Sequence, residues 1–316
     1  MTRAFIFPGQ GSQAVGMGLA LSQSFPAARL VFEEVDEALR QKLSRLMFEG
    51  PEGELTLTEN AQPALMAVSI AALRVLEGEG GWRLADKASH VAGHSLGEYS
   101  ALAATGALAL PDAARLLKLR GQAMQKAVPV GEGAMAALLG PELEQVQKIA
   151  KQAAEDTQLV CDVANDNSPG QVVVSGAKAA VERAVAIAAE QGVKRSIMLP
   201  VSAPFHCALM QPAADAMDEA LAKATIRQPA VPVIANVTAQ PVSDPASIAK
   251  LLVQQVTATV RWRESILAMK ALGVTKAYEL GAGKVLAGLV KRIDKEIEAS
   301  SVGAPADVEA ALKALA

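Results

Sequence analysis

The chain has 316 residues, 51% hydrophobic and 20% charged, which excludes a disordered polypeptide and leaves room for a full core and more than one domain. Its formal net charge of −3 gives no basic footprint for nucleic acid, and no apolar run approaches the roughly 18 residues of a membrane span. Two cysteines, Cys161 and Cys207, lack metal-ligand spacing, and the N-terminal apolar segment is too short for a signal peptide; a reduced, cytoplasmic setting is expected.

Ala4 to Phe7 reads as a buried strand that ends in Pro8-Gly9-Gln10-Gly11. Phe25 to Leu43 carries helical spacing, and Pro63 to Leu76 reads as an apolar helix. A strand near Ala88 to Ala92 then runs into Gly93-His94-Ser95-Leu96-Gly97, and small residues from Gly97 to Leu108 spell another helix. Gly-x-Ser-x-Gly between a strand and a helix is the context of a nucleophile elbow, which makes Ser95 the candidate nucleophile. A side chain at Gly93 or Gly97 would crowd such a turn, and the start of the helix aims unpaired N–H groups at the space before Ser95.

Pro111 opens a further helix with Asp112 in its first turn. Ala113, Leu116, Leu117, Arg120, Met124 and Ala127 share one face, so Arg120 points inward from an apolar stripe, and Gly121 beside it permits close packing of a neighbour. A buried guanidinium needs a partner, either a structural carboxylate or a ligand anion.

From Gly133 the pattern changes. Ala134–Leu139 reads as a strand, Pro141–Ala154 as a helix, Val160–Ala164 and Gln171–Ser175 as strands joined by the turn-rich Asn165–Gly170. A helix over Ala179–Gln191 closed by Gly192 and a strand over Lys194–Leu199 complete a β-α-β-β-α-β order, a ferredoxin-like unit. We expect this unit, residues 129–200, to be inserted into an α/β core made of residues 1–128 and 201–316. In the second half of that core, Cys207 leads into a helix ending near Ala224. A strand over Val231–Asn236, helices over Ile248–Val256 and Arg261–Leu272, a strand over Lys276–Leu280, a helix over Val285–Ile293 and a final helix over Pro305–Ala316 follow.

A serine nucleophile requires a base, and the chain has three histidines. His90 sits in the strand before the elbow and reads as a packed core residue; His94 abuts Ser95 and reads as a flanking residue that points away from it. His206 follows Pro200 and Pro204 on a stiffened loop and is the candidate general base. Hydrolases with this elbow present an acid between serine and histidine, yet no acid here marks a clear loop position, so a backbone carbonyl or an amide is the alternative orienting group. Gly9-x-Gly11-x-x-Ala14 is a weak match to a dinucleotide fingerprint, but the second strand ending in an acid is missing, and Gly281-Ala282-Gly283-Lys284 lacks the features of a phosphate loop.

Phe7-Pro8-Gly9-Gln10-Gly11-Ser12-Gln13, Gly93-His94-Ser95-Leu96-Gly97-Glu98-Tyr99, Leu119-Arg120-Gly121, Asn167-Ser168-Pro169-Gly170-Gln171 and Phe205-His206 occur in an order that resembles the malonyl-CoA:acyl carrier protein transacylases, along nearly the whole chain. The resemblance implies an α/β-hydrolase-like core with a parallel sheet plus an inserted ferredoxin-like small domain. It implies Ser95 as nucleophile, His206 as base, backbone N–H groups of Gln10 and Leu96 as oxyanion hole, and the main-chain carbonyl of Gln255 as the group orienting His206. Arg120 is implied to hold the malonyl carboxylate, and Phe205 to narrow the pocket toward malonyl over methylmalonyl. Ala282 stands where the family carries proline, and Val256-Thr257-Ala258-Thr259 lacks the family's aromatic and proline after Gln255.

What the resemblance further implies is ping-pong malonyl transfer from malonyl-CoA to the phosphopantetheine thiol of holo acyl carrier protein, in fatty acid or polyketide assembly alike. No permanently bound cofactor, no metal and a monomer are expected. The acidic carrier would need a local basic rim, for which Lys194, Arg195, Lys284, Lys291 and Arg292 are candidates. The competing reading is a serine hydrolase or thioesterase using the same Ser95 and His206; an inward cation at Arg120 suits a dicarboxylate donor and has no use in a general esterase.

Overall fold

The computed structural model describes residues 2–316. Its larger sheet grows around β1 (Thr2–Phe7), where Ala4, Phe5, Ile6 and Phe7 are all fully buried, because a parallel strand covered on both faces must be apolar throughout. The period-two alternation of the strand sorts its side chains. Phe5 and Phe7 join the main hydrophobic cluster on one face, while Ala4 and Ile6 pack with Ala92, Ile234 and Trp262 on the other.

The remaining strands in chain order are β2 (His90–Gly93), β3 (Gly133–Leu139), β4 (Cys161–Ser168), β5 (Gln171–Ala177), β6 (Arg195–Met198), β7 (Val233–Ile234), β8 (Pro241–Val242), β9 (Val274–Leu280) and β10 (Glu298–Val302). The larger sheet has six strands in the order β10-β9-β1-β2-β7-β8, parallel except for the short β8 edge. The smaller sheet has four antiparallel strands in the order β4-β5-β3-β6, with helices Leu143–Thr157 and Lys178–Glu190 packed on it around a separate hydrophobic cluster. This is the ferredoxin-like arrangement beside an α/β core that the element order implied.

The two sheets are stitched where β4 leaves the small unit. Val260 N–H donates to Ala164 O at 2.8 Å, Asp166 N–H donates to Val260 O at 3.0 Å, and Arg263 Nε donates to Asp166 Oδ2 at 2.9 Å. These bonds explain one departure from the sequence reading. The stretch Asn165 to Ser168 reads as a turn, but Val260 and Arg263 of the core bond Asp166 while β5 pairs with the stretch, so β4 runs through Ser168 and only Pro169-Gly170 turns.

Other differences have equally local causes. The spacing over Phe25–Leu43 is broken by Arg40, which caps helix Pro26–Leu39 with φ of 49°, and a second helix covers Leu43–Glu49. The apolar helix runs longer than its periodic part, over Thr58–Gly80, with Pro63 inside it. The segment after Cys207 forms a short 3₁₀ turn before helix Gln211–Leu221. The strand at Val231–Asn236 shrinks to β7, because the Asn236 backbone N–H and side chain are committed elsewhere. β10 carries Glu, Ala and two serines, with no apolar alternation to reveal it.

Arg120 lies on helix Leu110–Ala127, whose buried residues Ala113, Leu116, Leu117, Arg120 and Met124 follow the stripe expected of it. Gly121 lets this helix press against helix Thr58–Gly80: a Cβ there would lie 2.5 Å from Glu59 Cα and 2.7 Å from Thr58 O. Gly121→Ala therefore forces two backbones apart and is expected to cost about 1–3 kcal/mol, read as a lowered midpoint in urea denaturation. An unchanged midpoint would contradict this packing.

Candidate active site

The C-terminal ends of β1 and β2 deliver two loops to one place. The β2 loop is the Ser95 turn. A Cβ on Gly93 would fall 1.8 Å from Gly97 O, and a Cβ on Gly97 would fall 2.3 Å from Phe7 O, so neither position admits a side chain. Between them Ser95 adopts φ of 53°, an unfavourable backbone conformation for a non-glycine residue. Asn236 holds it there: its Oδ1 accepts from Ser95 N–H at 2.8 Å while its Nδ2 donates to Gly93 O at 2.7 Å.

Ser95 Oγ lies 2.7 Å from His206 Nε2. His206 is itself at φ of 58°, and its Nδ1 lies 2.8 Å from the main-chain carbonyl of Gln255. A carbonyl oxygen only accepts, so Nδ1 carries the ring proton, and Nε2 is the lone pair that faces the serine hydroxyl. Burial, then the nearby Arg120 charge, pushes His206 down to about 3 from the usual 6.5. The imidazole is neutral at physiological pH, with its Nε2 lone pair on the serine hydroxyl.

Arg120 is buried beside this pair. Its guanidinium donates to Gln62 Oε1 at 2.7 Å, Gln255 Oε1 at 2.9 Å and Ser95 Oγ at 3.1 Å, and its carbon lies 5.7 Å from the centre of the Tyr99 ring. Arg120 Nε has no protein partner among the described residues. The anion the buried cation calls for is not a carboxylate in direct contact: every acceptor it meets is a neutral oxygen.

A cavity of about 810 Å³ opens onto the group, lined by Gln10, Leu96, Ser95, Arg120, Phe205 and His206 among others. Leu96 sits at the N-cap of helix Gly97–Ala104, and neither its N–H nor that of Gln10 donates a hydrogen bond among the described residues. The seven residues singled out in the sequence thus gather at one site, Gln255 through its carbonyl and amide. No cluster of metal-ligating side chains occurs among the described residues.

The chain that carries this elbow serine, carbonyl-bound histidine and buried arginine is similar to known proteins along nearly its whole length. Residues 4–300 fit the acyl transferase domain family. A malonyl CoA-acyl carrier protein transacylase of Bacillus subtilis is 47% identical over 312 residues, covering 99% of this chain and 96% of that protein. The chain belongs to the malonyl-CoA:acyl carrier protein transacylase family. An acyl-carrier-protein-S-malonyltransferase from Bartonella henselae superposes with a TM-score of 0.97 at 57% identity, over 100% of this chain and 99% of that one. A malonyl-transacylase solved in complex with its type II PKS acyl-carrier protein superposes with a TM-score of 0.95 at 41% identity, over 99% and 100% of the two chains.

In this transacylase fold, four further residues complete the site. Gln62 Nε2 donates to Thr58 Oγ1, which donates to Gln10 Oε1, so a chain of side chains runs from Arg120 to the Gln10 loop. Asn236 and Glu98 lie beneath Ser95. None of the four carries a spacing signal; only Glu98 falls inside a recognisable motif. His94 does point away from Ser95, with Nε2 at 2.8 Å from Asn167 Oδ1, although it also lines the cavity. His90 is half-buried, not a packed core residue, because β2 begins at it and its Nδ1 meets Ser89 Oγ at 2.9 Å.

The candidate rim is exposed throughout. Arg195 stands opposite Leu139, Leu139 opposite Gln171, and Gln171 Oε1 accepts from Arg292 at 2.9 Å, a row across the end of the small sheet onto helix Val285–Ile293. Lys284 and Lys291 flank the exposed face of that helix.

Because His206 in the folded chain binds its proton more weakly than a free imidazole, the native state resists protonation, and stability falls as pH drops from about 6.5 toward 3. Imidazole ¹⁵N NMR should find His206 as the Nδ1–H tautomer, unchanged between roughly pH 7 and 5. A resonance that titrates near the ordinary histidine value would contradict the assignment.

Proposed function

We propose that Ser95 and His206 carry malonyl transfer from malonyl-CoA to the phosphopantetheine thiol of holo acyl carrier protein, supplying fatty acid biosynthesis. His206 Nε2 removes the Oγ proton as Ser95 attacks the thioester carbonyl carbon. The N–H groups of Gln10 and Leu96 receive the oxyanion; losing one such donor typically costs on the order of 10²–10³ in rate. Collapse breaks the C–S bond, the thiolate of CoA takes the proton from His206, and malonyl remains on Ser95. The carrier thiol then gives its proton to His206 and attacks the ester, and Ser95 Oγ recovers that proton as the malonyl thioester leaves.

The observation that carries this reading over simple ester hydrolysis is Arg120. A buried guanidinium with an unpartnered Nε, 3.1 Å from the nucleophile through Nη2, suits the free carboxylate of a malonyl group. To Phe205, which lines the cavity, we assign the role of limiting branching at the donor's α-carbon. The orienting carbonyl of Gln255 takes the place of the acid found in hydrolases. We further propose residues 129–200 as a small domain that closes the cavity with its β6 end, and the cytoplasm as the setting; no described helix is long and apolar enough to cross a membrane.

Docking of the acidic carrier is supported by the row of Arg195 and Arg292 with Lys194, Lys284 and Lys291 around it, and by the solved relative in complex with its carrier protein. Arg120→Ala should cut kcat/KM for malonyl-CoA by on the order of 10²-fold or more while sparing acetyl-CoA, measured as transfer to holo carrier protein. An unchanged malonyl preference would remove the clamp. Lys291→Glu with Arg292→Glu should raise KM for the carrier protein and weaken its salt dependence, leaving KM for malonyl-CoA unaltered; equal effects on both substrates would remove the rim.

A further inference from the structure

Arg120 makes no direct ion pair among the described residues, yet a carboxylate lies one amide away. Glu98 is 2% exposed, and its Oε2 accepts from Asn236 N–H at 3.0 Å and from Gln255 Nε2 at 2.8 Å. The Gln255 amide therefore stands between two buried opposite charges, its nitrogen on the carboxylate and its oxygen on the guanidinium. Reversing the amide would set NH2 against the cation and oxygen against the anion, so the two charges fix its direction. Ser95 O and Asn236 Oδ1 accept from the same Nε2 at 3.0 and 3.2 Å, which ties the bridge to the elbow.

We propose that Glu98 is the resident counter-ion of Arg120, acting through the Gln255 amide, and that it sets how tightly the clamp holds a malonyl carboxylate. This rests on Arg120 being that clamp. A transferase must grip its acyl group for discrimination and still surrender it, and an uncompensated buried guanidinium would hold the malonyl carboxylate too strongly. Glu98 offsets part of the charge from beneath without occupying the place the ligand takes. Its burial pushes the carboxyl up to about 7, against the hydrogen bonds from Asn236 and Gln255 and the charge of Arg120, which act to lower it, so the counter-charge is fully present only above that pH and the kinetics are compared at about pH 8.5.

Glu98→Gln is nearly isosteric, and its amide oxygen can keep both hydrogen bonds that Oε2 accepts. The test compares malonyl-CoA with malonamoyl-CoA, the neutral amide of the same shape, in wild type, Glu98→Gln and Arg120→Ala. With the counter-charge gone, KM for malonyl-CoA should fall by on the order of tenfold, the scale of a charge pair at this separation, with kcat falling because the product leaves slowly. The ratio of the KM for malonyl-CoA to the KM for malonamoyl-CoA should fall by about the same factor, whatever change the two donors share through the site. Equal changes for the two donors, or a raised KM for malonyl-CoA, would overturn the proposal. If Arg120→Ala fails to erase the difference between the donors, the clamp reading itself fails; if it erases it and Glu98→Gln leaves malonyl-CoA unaffected, only the counter-ion role fails. Should Glu98→Gln not fold, Glu98→Asp withdraws the charge by one methylene and should lower KM for malonyl-CoA alone, by a smaller factor; no difference between donors overturns the proposal there too.

Discussion

Gln255 ends helix Pro245–Gln255, and both halves of the residue are used. Its carbonyl accepts from the His206 ring at 2.8 Å, and its amide accepts from Arg120 while donating toward Glu98, Ser95 O and Asn236. The base, the cation and the elbow are thus referred to one fully buried side chain on one helix end. Pairing matters in such a network, because an unpaired buried polar group costs about 2–7 kcal/mol, and here Arg120 Nε is left without a protein partner. What fixes the helix end is the small sheet: Val260, five residues on from Gln255, pairs with Ala164 and Asp166 of β4.

Two residues of the reacting pair carry positive φ, Ser95 at 53° and His206 at 58°. Each such conformation costs on the order of 1–3 kcal/mol and survives only where its surroundings over-determine it. At Ser95 those surroundings are the glycine-tight contact of β1, β2 and helix Gly97–Ala104 and the two hydrogen bonds of Asn236. At His206 they are the Gln255 carbonyl and the Pro204 ring, which packs 2.3 Å from where a Gly133 Cβ would stand. Positive φ also occurs at Arg40, Gln158 and Ala239, but at Ser95 and His206 it falls on the two residues whose side chains meet, beside the buried strand β1.

Ser95 and Arg120 were legible because each breaks a pattern: a serine between obligatory glycines, a cation on an apolar helical stripe. His206 was legible by elimination among three histidines and by the prolines before it. The group that orients it was not, since a backbone carbonyl has no residue signature; Gln255 came only from family resemblance. Asn236, Gln62 and Thr58 act through contacts with partners 48 to 143 residues distant, which no local spacing encodes. The fold was legible where burial imposes periodicity, as in β1 and helix Leu110–Ala127, and illegible at β10 and the end of β4, where edge position or tertiary hydrogen bonds decide the conformation.

In this mechanism Ser95 carries the malonyl group from one thiol to another. The most direct test is mass spectrometry of the protein quenched in acid after brief mixing with malonyl-CoA alone. One malonyl group per chain, mapped to the peptide containing Ser95, is expected, and none in Ser95→Ala. Malonate release with the protein mass unchanged, or the same adduct in Ser95→Ala, would contradict it.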